Sequence, residues 1–160
     1  MLPPTRVFGL DCSKSLAISF DAISGDHFVR ARFLDRQDAG NPLNGTSIEN
    51  SVELRSMLAS MRARPPFFAE LICDNGYKLL LGLGASEGCV QFSSTEGDPP
   101  YLMAVADNAE AAIGDVEFLM GDTVTPVSRR YCLPYDVVAD IAVVFVDTGN
   151  PKSDVHWEAI

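Results

Sequence analysis

The chain has 160 residues, 47% of them hydrophobic and 21% charged, with a net charge of −10. That composition excludes a disordered chain and is enough for one domain spanning residues 1–160 with a core of its own. The negative balance sets nucleic acid and anionic membrane surfaces aside as partners and favours basic ones.

The acids are unevenly placed. Residues 1–66 hold seven acids and eight bases, whereas residues 67–160 hold fifteen acids and four bases. Between Leu79 and Ser128 there are eight acids and neither Lys nor Arg. No apolar run is long enough to cross a membrane, and MLPPTRVFGLDCSKS has no basic stretch leading into an apolar segment. A cytoplasmic protein is therefore expected. Cys12, Cys73, Cys89 and Cys132 form no CxxC pair, so reduced thiols are expected rather than structural zinc, with Cys73 and Cys89 as small core residues.

In chain order, Leu16–Phe20 and Phe28–Leu34 read as short strands joined through Ser24-Gly25-Asp26. A loop follows from Gly40 to Gly45, containing an Asn44-Gly45-Thr46 triplet that reads as loop sequence. Thr46-Ser47-Ile48-Glu49 has the form of a capping box, and Leu54, Met57, Leu58 and Met61 place one apolar face on the helix behind it. Arg62 and Arg64 suit the negative end of that helix, and Pro65-Pro66 stops it. Phe67–Cys73 and Tyr77–Gly82 read as a hairpin through Asp74-Asn75-Gly76, where Asn-Gly tolerates positive φ.

Gly82, Gly84 and Gly88 come next. A dinucleotide loop requires GxGxxG between strand and helix, and here the last glycine is one residue too far. The segment behind it, Cys89–Phe92, is β-prone, and no P-loop lysine occurs. These glycines therefore turn the chain between antiparallel strands, and no cofactor is expected. Ser94–Pro100 is a further turn and Tyr101–Ala106 a strand, followed by a Val116–Met120/Val124–Leu133 hairpin through Gly121-Asp122. The valines of Val137–Val146 favour strand, but Pro134 before it, with Gly149 and Pro151 after it, mark a helix on which Val137, Ile141 and Val144 share a face. Val155–Trp157 reads as a short last strand. The sum is an α+β domain with a mainly antiparallel sheet and two principal helices.

Catalytic patterns are sparse. His27 and His156 are the chain's two histidines, and neither GxSxG nor HExxH occurs. His156-Trp157-Glu158 matches the first part of a zinc-deaminase signature, but no PCxxC follows. Asp136 and Asp140, four residues apart on the last helix, read as a solvated face. A Cys–His dyad or a His–carboxylate site in a cleft beside the sheet stays open as the alternative, a small-ligand-binding domain or an enzyme.

LLLGLGASEGCVQFSSTEGDPPYL, then RRYCLP, then FVDTGNPKSDVHWEAI, resembles the Imm-one (Imm1) family of immunity proteins from bacterial polymorphic toxin systems. The features that carry the resemblance are Gly84, Gly88, the Gly97-Asp98-Pro99-Pro100-Tyr101 turn, Pro134, Gly149 and Trp157, over about residues 46–160; residues 1–45 match less well. The resemblance implies a non-enzymatic protector that binds and neutralises a cognate toxin, often one with a nucleic-acid deaminase fold. A toxin that acts on nucleic acid carries a basic groove for phosphates, and an acidic domain can fill it. Glu87, Glu96, Asp98 and Tyr101 are the residues expected to face that toxin.

Overall fold

The computed structural model describes residues 30–160. The expected Leu16–Phe20 strand, the Ser24–Asp26 turn, the start of Phe28–Leu34, Cys12 and His27 lie outside these residues. Ten strands and two helices follow in the order β1 (Ala31–Asp35), β2 (Ser47–Ile48), α1 (Ser51–Ser60), β3 (Phe67–Cys73), β4 (Tyr77–Leu83), β5 (Glu87–Ser94), β6 (Tyr101–Ala104), β7 (Asp115–Met120), β8 (Thr123–Ser128), β9 (Leu133–Pro134), α2 (Tyr135–Thr148) and β10 (Trp157–Ala159). The sheet runs β10-β6-β5-β4-β3-β1-β2, and every pairing along this path is antiparallel. β9 adds to β5, and β7 touches β3 in parallel at Phe67 and Leu119. This is the expected α+β architecture.

Alternation along the strands divides two apolar layers. From β3, Phe67, Ala69, Leu71 and Cys73 face the helices together with Leu79, Leu81, Val90 and Phe92. Phe68 faces the other way and packs with Cys89, Met103, Phe118 and Cys132 beneath the β7–β8 hairpin. The Phe68 and Phe118 ring centroids are 5.3 Å apart. Cys73 and Cys89 are core residues, as expected.

α1 starts later than the capping-box reading placed it. Asn50 caps it, accepting from Glu53 N at 2.9 Å, and Glu53 accepts from Glu49 N at 3.0 Å. Ser47-Ile48 is instead drawn into β2 by pairing with β1. Leu54, Leu58 and Met61 are buried, as the spacing predicts. Arg62 and Arg64 do not serve the helix end. α1 stops at Ser60, Arg62 donates to the Ala85 carbonyl and stacks 3.9 Å over Tyr135, and Arg64 pairs with Asp35 at 2.7 Å.

The Asp74–Gly76 turn puts positive φ on Gly76 alone (87°), because three residues separate the paired ends; Asn75 does not adopt it. Gly121-Asp122 is a two-residue connection with positive φ at Gly121 alone, the pattern of a type II′ turn. β8 ends at Ser128, where the Ser128 hydroxyl accepts from Arg130 N and opens a short 3-10 turn, Arg129–Tyr131. The expected Val124–Leu133 strand is therefore interrupted. α2 is one helix, capped by Gly149 at φ 72°. Its buried stripe is Val138, Ile141, Ala142 and Phe145, with Val137 and Val144 only flanking it. Asp136 is exposed and Asp140 half-exposed, the expected solvated face, with Asp140 paired to Arg55 of α1 at 2.7 Å. The last strand lies two residues beyond its predicted start, and Val105 N donates to the His156 carbonyl at 2.9 Å just before it.

Candidate functional site

The β5–β6 connection, 95–100, is fixed at both ends. Thr95 donates from its backbone and its hydroxyl to the Gly76 carbonyl, at 2.9 and 3.1 Å, which clamps it to the β3–β4 turn. Gly97 turns it with φ 81°, and the Tyr101 hydroxyl donates to the Gly97 carbonyl. Glu96 and Asp98 stand exposed on this turn, and Pro99-Pro100 leads back into β6. Glu96 and Tyr101 border a polar depression of about 340 Å³ on the sheet face opposite the helices. Its floor holds the Glu70 carboxylate, nearly buried, 2.9 Å from Lys78 and 3.8 Å from Arg36.

Glu87 lies elsewhere. It opens β5, whereas the turn with Glu96 and Asp98 follows the end of that strand. The seven residue steps from Glu87 to Ser94 span about 23 Å at 3.3 Å each. Glu87 also sits 2.6 Å from Arg129, the first base after the base-free stretch. Among the described residues, Glu87 is the only one of the eight acids from Leu79 to Ser128 with an ion-pair partner. The other seven divide. Glu96 and Asp98 share one turn, while Asp107, Glu110, Asp115, Glu117 and Asp122 run from the segment after β6 through the β7–β8 hairpin. Three of the four residues singled out from sequence are thus adjacent, and the second acidic group was not singled out.

The same end of the sheet carries an apolar pocket of about 500 Å³. Tyr77 and Phe92 stack with centroids 5.0 Å apart, and Pro100, Leu102, Pro151 and Trp157 complete the apolar wall. Two loops hold it. Asn75 Nδ2 donates to the Gly149 carbonyl at 3.0 Å, and Trp157 Nε1 donates to the Lys152 carbonyl at 2.9 Å. Pro100 and Trp157, far apart in sequence, meet here. Periodicity could not show this, because it needs the β10–β6 pairing. Gly84 and Gly88 act locally instead: a Cβ at Gly84 would lie 2.5 Å from the Glu87 carbonyl oxygen, and one at Gly88 would overlap that of Gly82. Pro134 precedes the first residue of α2.

The family model of Immunity protein Imm1 matches residues 44–159. The chain belongs to the Imm1 family of immunity proteins. The matched span holds both helices, every strand from β2 to β10, and Glu87, Glu96, Asp98 and Tyr101. No curated protein matches the chain. Among the described residues of this Imm1 protein, no helix is long and apolar enough to cross a membrane.

The cleft alternative can be placed on this Imm1 fold. His156 borders a depression of about 290 Å³ with Asp107, Asp140, Asp154 and Cys132. The Cys132 thiol is directed at the Ser128 carbonyl at 3.6 Å, and burial pushes its pKa up to about 11. Burial pushes Cys89 up to about 12. A nucleophilic thiolate is therefore scarce at neutral pH at either position. Among the described residues, no three His, Cys, Asp or Glu side chains gather as a metal-ligand set.

Proposed function

We propose that this Imm1 protein binds a cognate bacterial toxin in the cytoplasm of the producing cell and neutralises it by occlusion, without catalysis. The toxin is of the nucleic-acid-targeting kind, deaminases included, and offers a basic groove. The observation that carries this reading is the set of seven acids between Leu79 and Ser128 that have no cationic partner among the described residues. A groove built for phosphates is lined with Lys and Arg. Exposed carboxylates on a firm scaffold present the same sign of charge and hold off nucleic acid themselves.

Glu96, Asp98 and Tyr101 form the contact turn in this reading. Glu87, already neutralised by Arg129, adds less to the field. Opposed charge of this kind acts mainly on the association rate, which reaches about 10⁸–10⁹ M⁻¹s⁻¹ in steered pairs at low salt. The test is association kinetics with the purified toxin across a salt series. Replacing Glu96→Gln and Asp98→Asn together should slow association and flatten its salt dependence, and Glu87→Gln should do so less. A double variant with native association rates at every salt concentration would sink the assignment of this turn.

A further inference from the structure

We propose that the apolar pocket walled by Tyr77, Phe92, Pro100, Leu102, Pro151 and Trp157 receives one aromatic side chain of the toxin, flanked in the toxin chain by Lys or Arg. This rests on the toxin-binding reading and says where the partner is gripped. The pocket holds about 500 Å³ and lies between the β5–β6 turn and the loop from α2 to β10. Its floor is a pair of stacked rings, 5.0 Å apart, which suits a flat apolar guest. Its wall is held open by hydrogen bonds rather than by filling: Trp157 is tied to the Lys152 carbonyl and Asn75 to that of Gly149. A preformed aromatic-lined pocket is the usual receptor for an interface anchor.

Charge selects the kind of guest. Lys152 is the one charged residue in the lining, and Asp154 neutralises it. Asp98 lies two residues before the lining Pro100, exposed and without an ion-pair partner among the described residues, whereas Glu96 borders the depression on the other sheet face. An apolar pocket with an unpaired carboxylate two residues from its wall favours an aromatic residue beside cations over one beside acids.

Trp157 is the single tryptophan of the chain, so its indole N–H gives one NMR signal and reports the pocket directly. Titration of the native protein with acetyl-Arg-Phe-Arg-amide should shift that signal. Acetyl-Arg-Ala-Arg-amide should leave it in place, and acetyl-Glu-Phe-Glu-amide should bind at least fivefold more weakly. Equal shifts from the Phe and Ala peptides, or equal affinity for the Arg and Glu peptides, would overturn the proposal. With the cognate toxin in catalytically disabled form, Ser153→Phe at the exposed rim should weaken binding at least tenfold, mostly through faster dissociation. If Ser153→Phe binds like the native protein while the Glu96→Gln/Asp98→Asn variant is weakened, the pocket proposal fails and the toxin-binding reading stands. If the native protein does not bind the toxin at all, that reading itself fails.

Discussion

Asp35→Asn is the most informative single substitution for the fold. The Asp35 side chain is fully buried, and its two oxygens accept four hydrogen bonds. Gln37 N and Asp38 N donate to Oδ1, each at 2.9 Å, while Asn41 Nδ2 and Arg64 Nη1 donate to Oδ2 at 2.8 and 2.7 Å. Asparagine keeps one acceptor for the backbone donors. Its amide nitrogen must then face two donors, one of them a guanidinium. Breaking one side of a buried ion pair costs about 3–5 kcal/mol. Arg64 is 29% exposed and still bonds Gln37, so the lower end, about 3 kcal/mol, applies. For a chain of this size that corresponds to a Tm lower by about 6–12 °C.

The pH dependence gives an independent check. Burial, the largest single influence, raises the Asp35 pKa, but the hydrogen bonds from Arg64, Asn41, Asp38 and Gln37 outweigh it and hold the carboxyl below 3.8. A folded-state pKa lowered in this way stabilises the protein fully above the unfolded value. That contribution disappears as pH falls through the folded value. In urea denaturation the gap between native and Asp35→Asn proteins should therefore be constant near neutrality and narrow below pH 3.8. A gap under about 0.5 kcal/mol at neutral pH, typical of an ordinary surface change, would refute the reasoning.

Gly88→Ala should destabilise by about 3 kcal/mol, because the new methyl overlaps a backbone carbonyl oxygen of the neighbouring strand and neither strand can move freely; a thermal melt measures it. In a Cys12→Ser background, Cys73, Cys89 and Cys132 should resist a thiol reagent at pH 8 and react at once in denaturant. Burial raises Cys73 and Cys89 to about 12 and Cys132 to about 11, and fast labelling of the folded protein would contradict it. Arg129→Ala should cost under about 1 kcal/mol of stability, since the pair with Glu87 is partly exposed, while raising the toxin association rate by uncovering one more carboxylate.

Local patterns were legible where the interaction itself is local. Phe67–Cys73 shows as a strand because both of its faces are covered, and α2 is marked by Pro134 and Gly149 even though its valines favour strand. The helix start was misplaced because two hydroxyl- or amide-led segments compete to cap it. Bonding to β1 holds Thr46, whose carbonyl accepts from Phe33 N, in extended chain ahead of β2 and leaves Asn50 as the cap. Arg62 and Arg64 illustrate the same limit: charge near a helix end is a weak attraction, and the Ala85 carbonyl and the buried Asp35 are stronger partners. For the candidate site, the acidic turn was visible as sequence. The neutralisation of Glu87 by Arg129, and the meeting of Pro100 with Trp157, depend on strand partners distant along the chain.

The β7–β8 hairpin shares few backbone bonds with the main sheet, the Phe67–Leu119 bridge and those from Leu119 N to Pro66 and from Gly121 N to Arg36, and is otherwise held to it by Phe118 packed on Phe68, Cys89 and Met103. Such a flap can lift as a unit while the helix-side layer stays closed. Its amide protons would then exchange with solvent ahead of those in β3, β4 and β5, and the breathing would carry a strand with two acids, Asp115 and Glu117, outward without unfolding the rest.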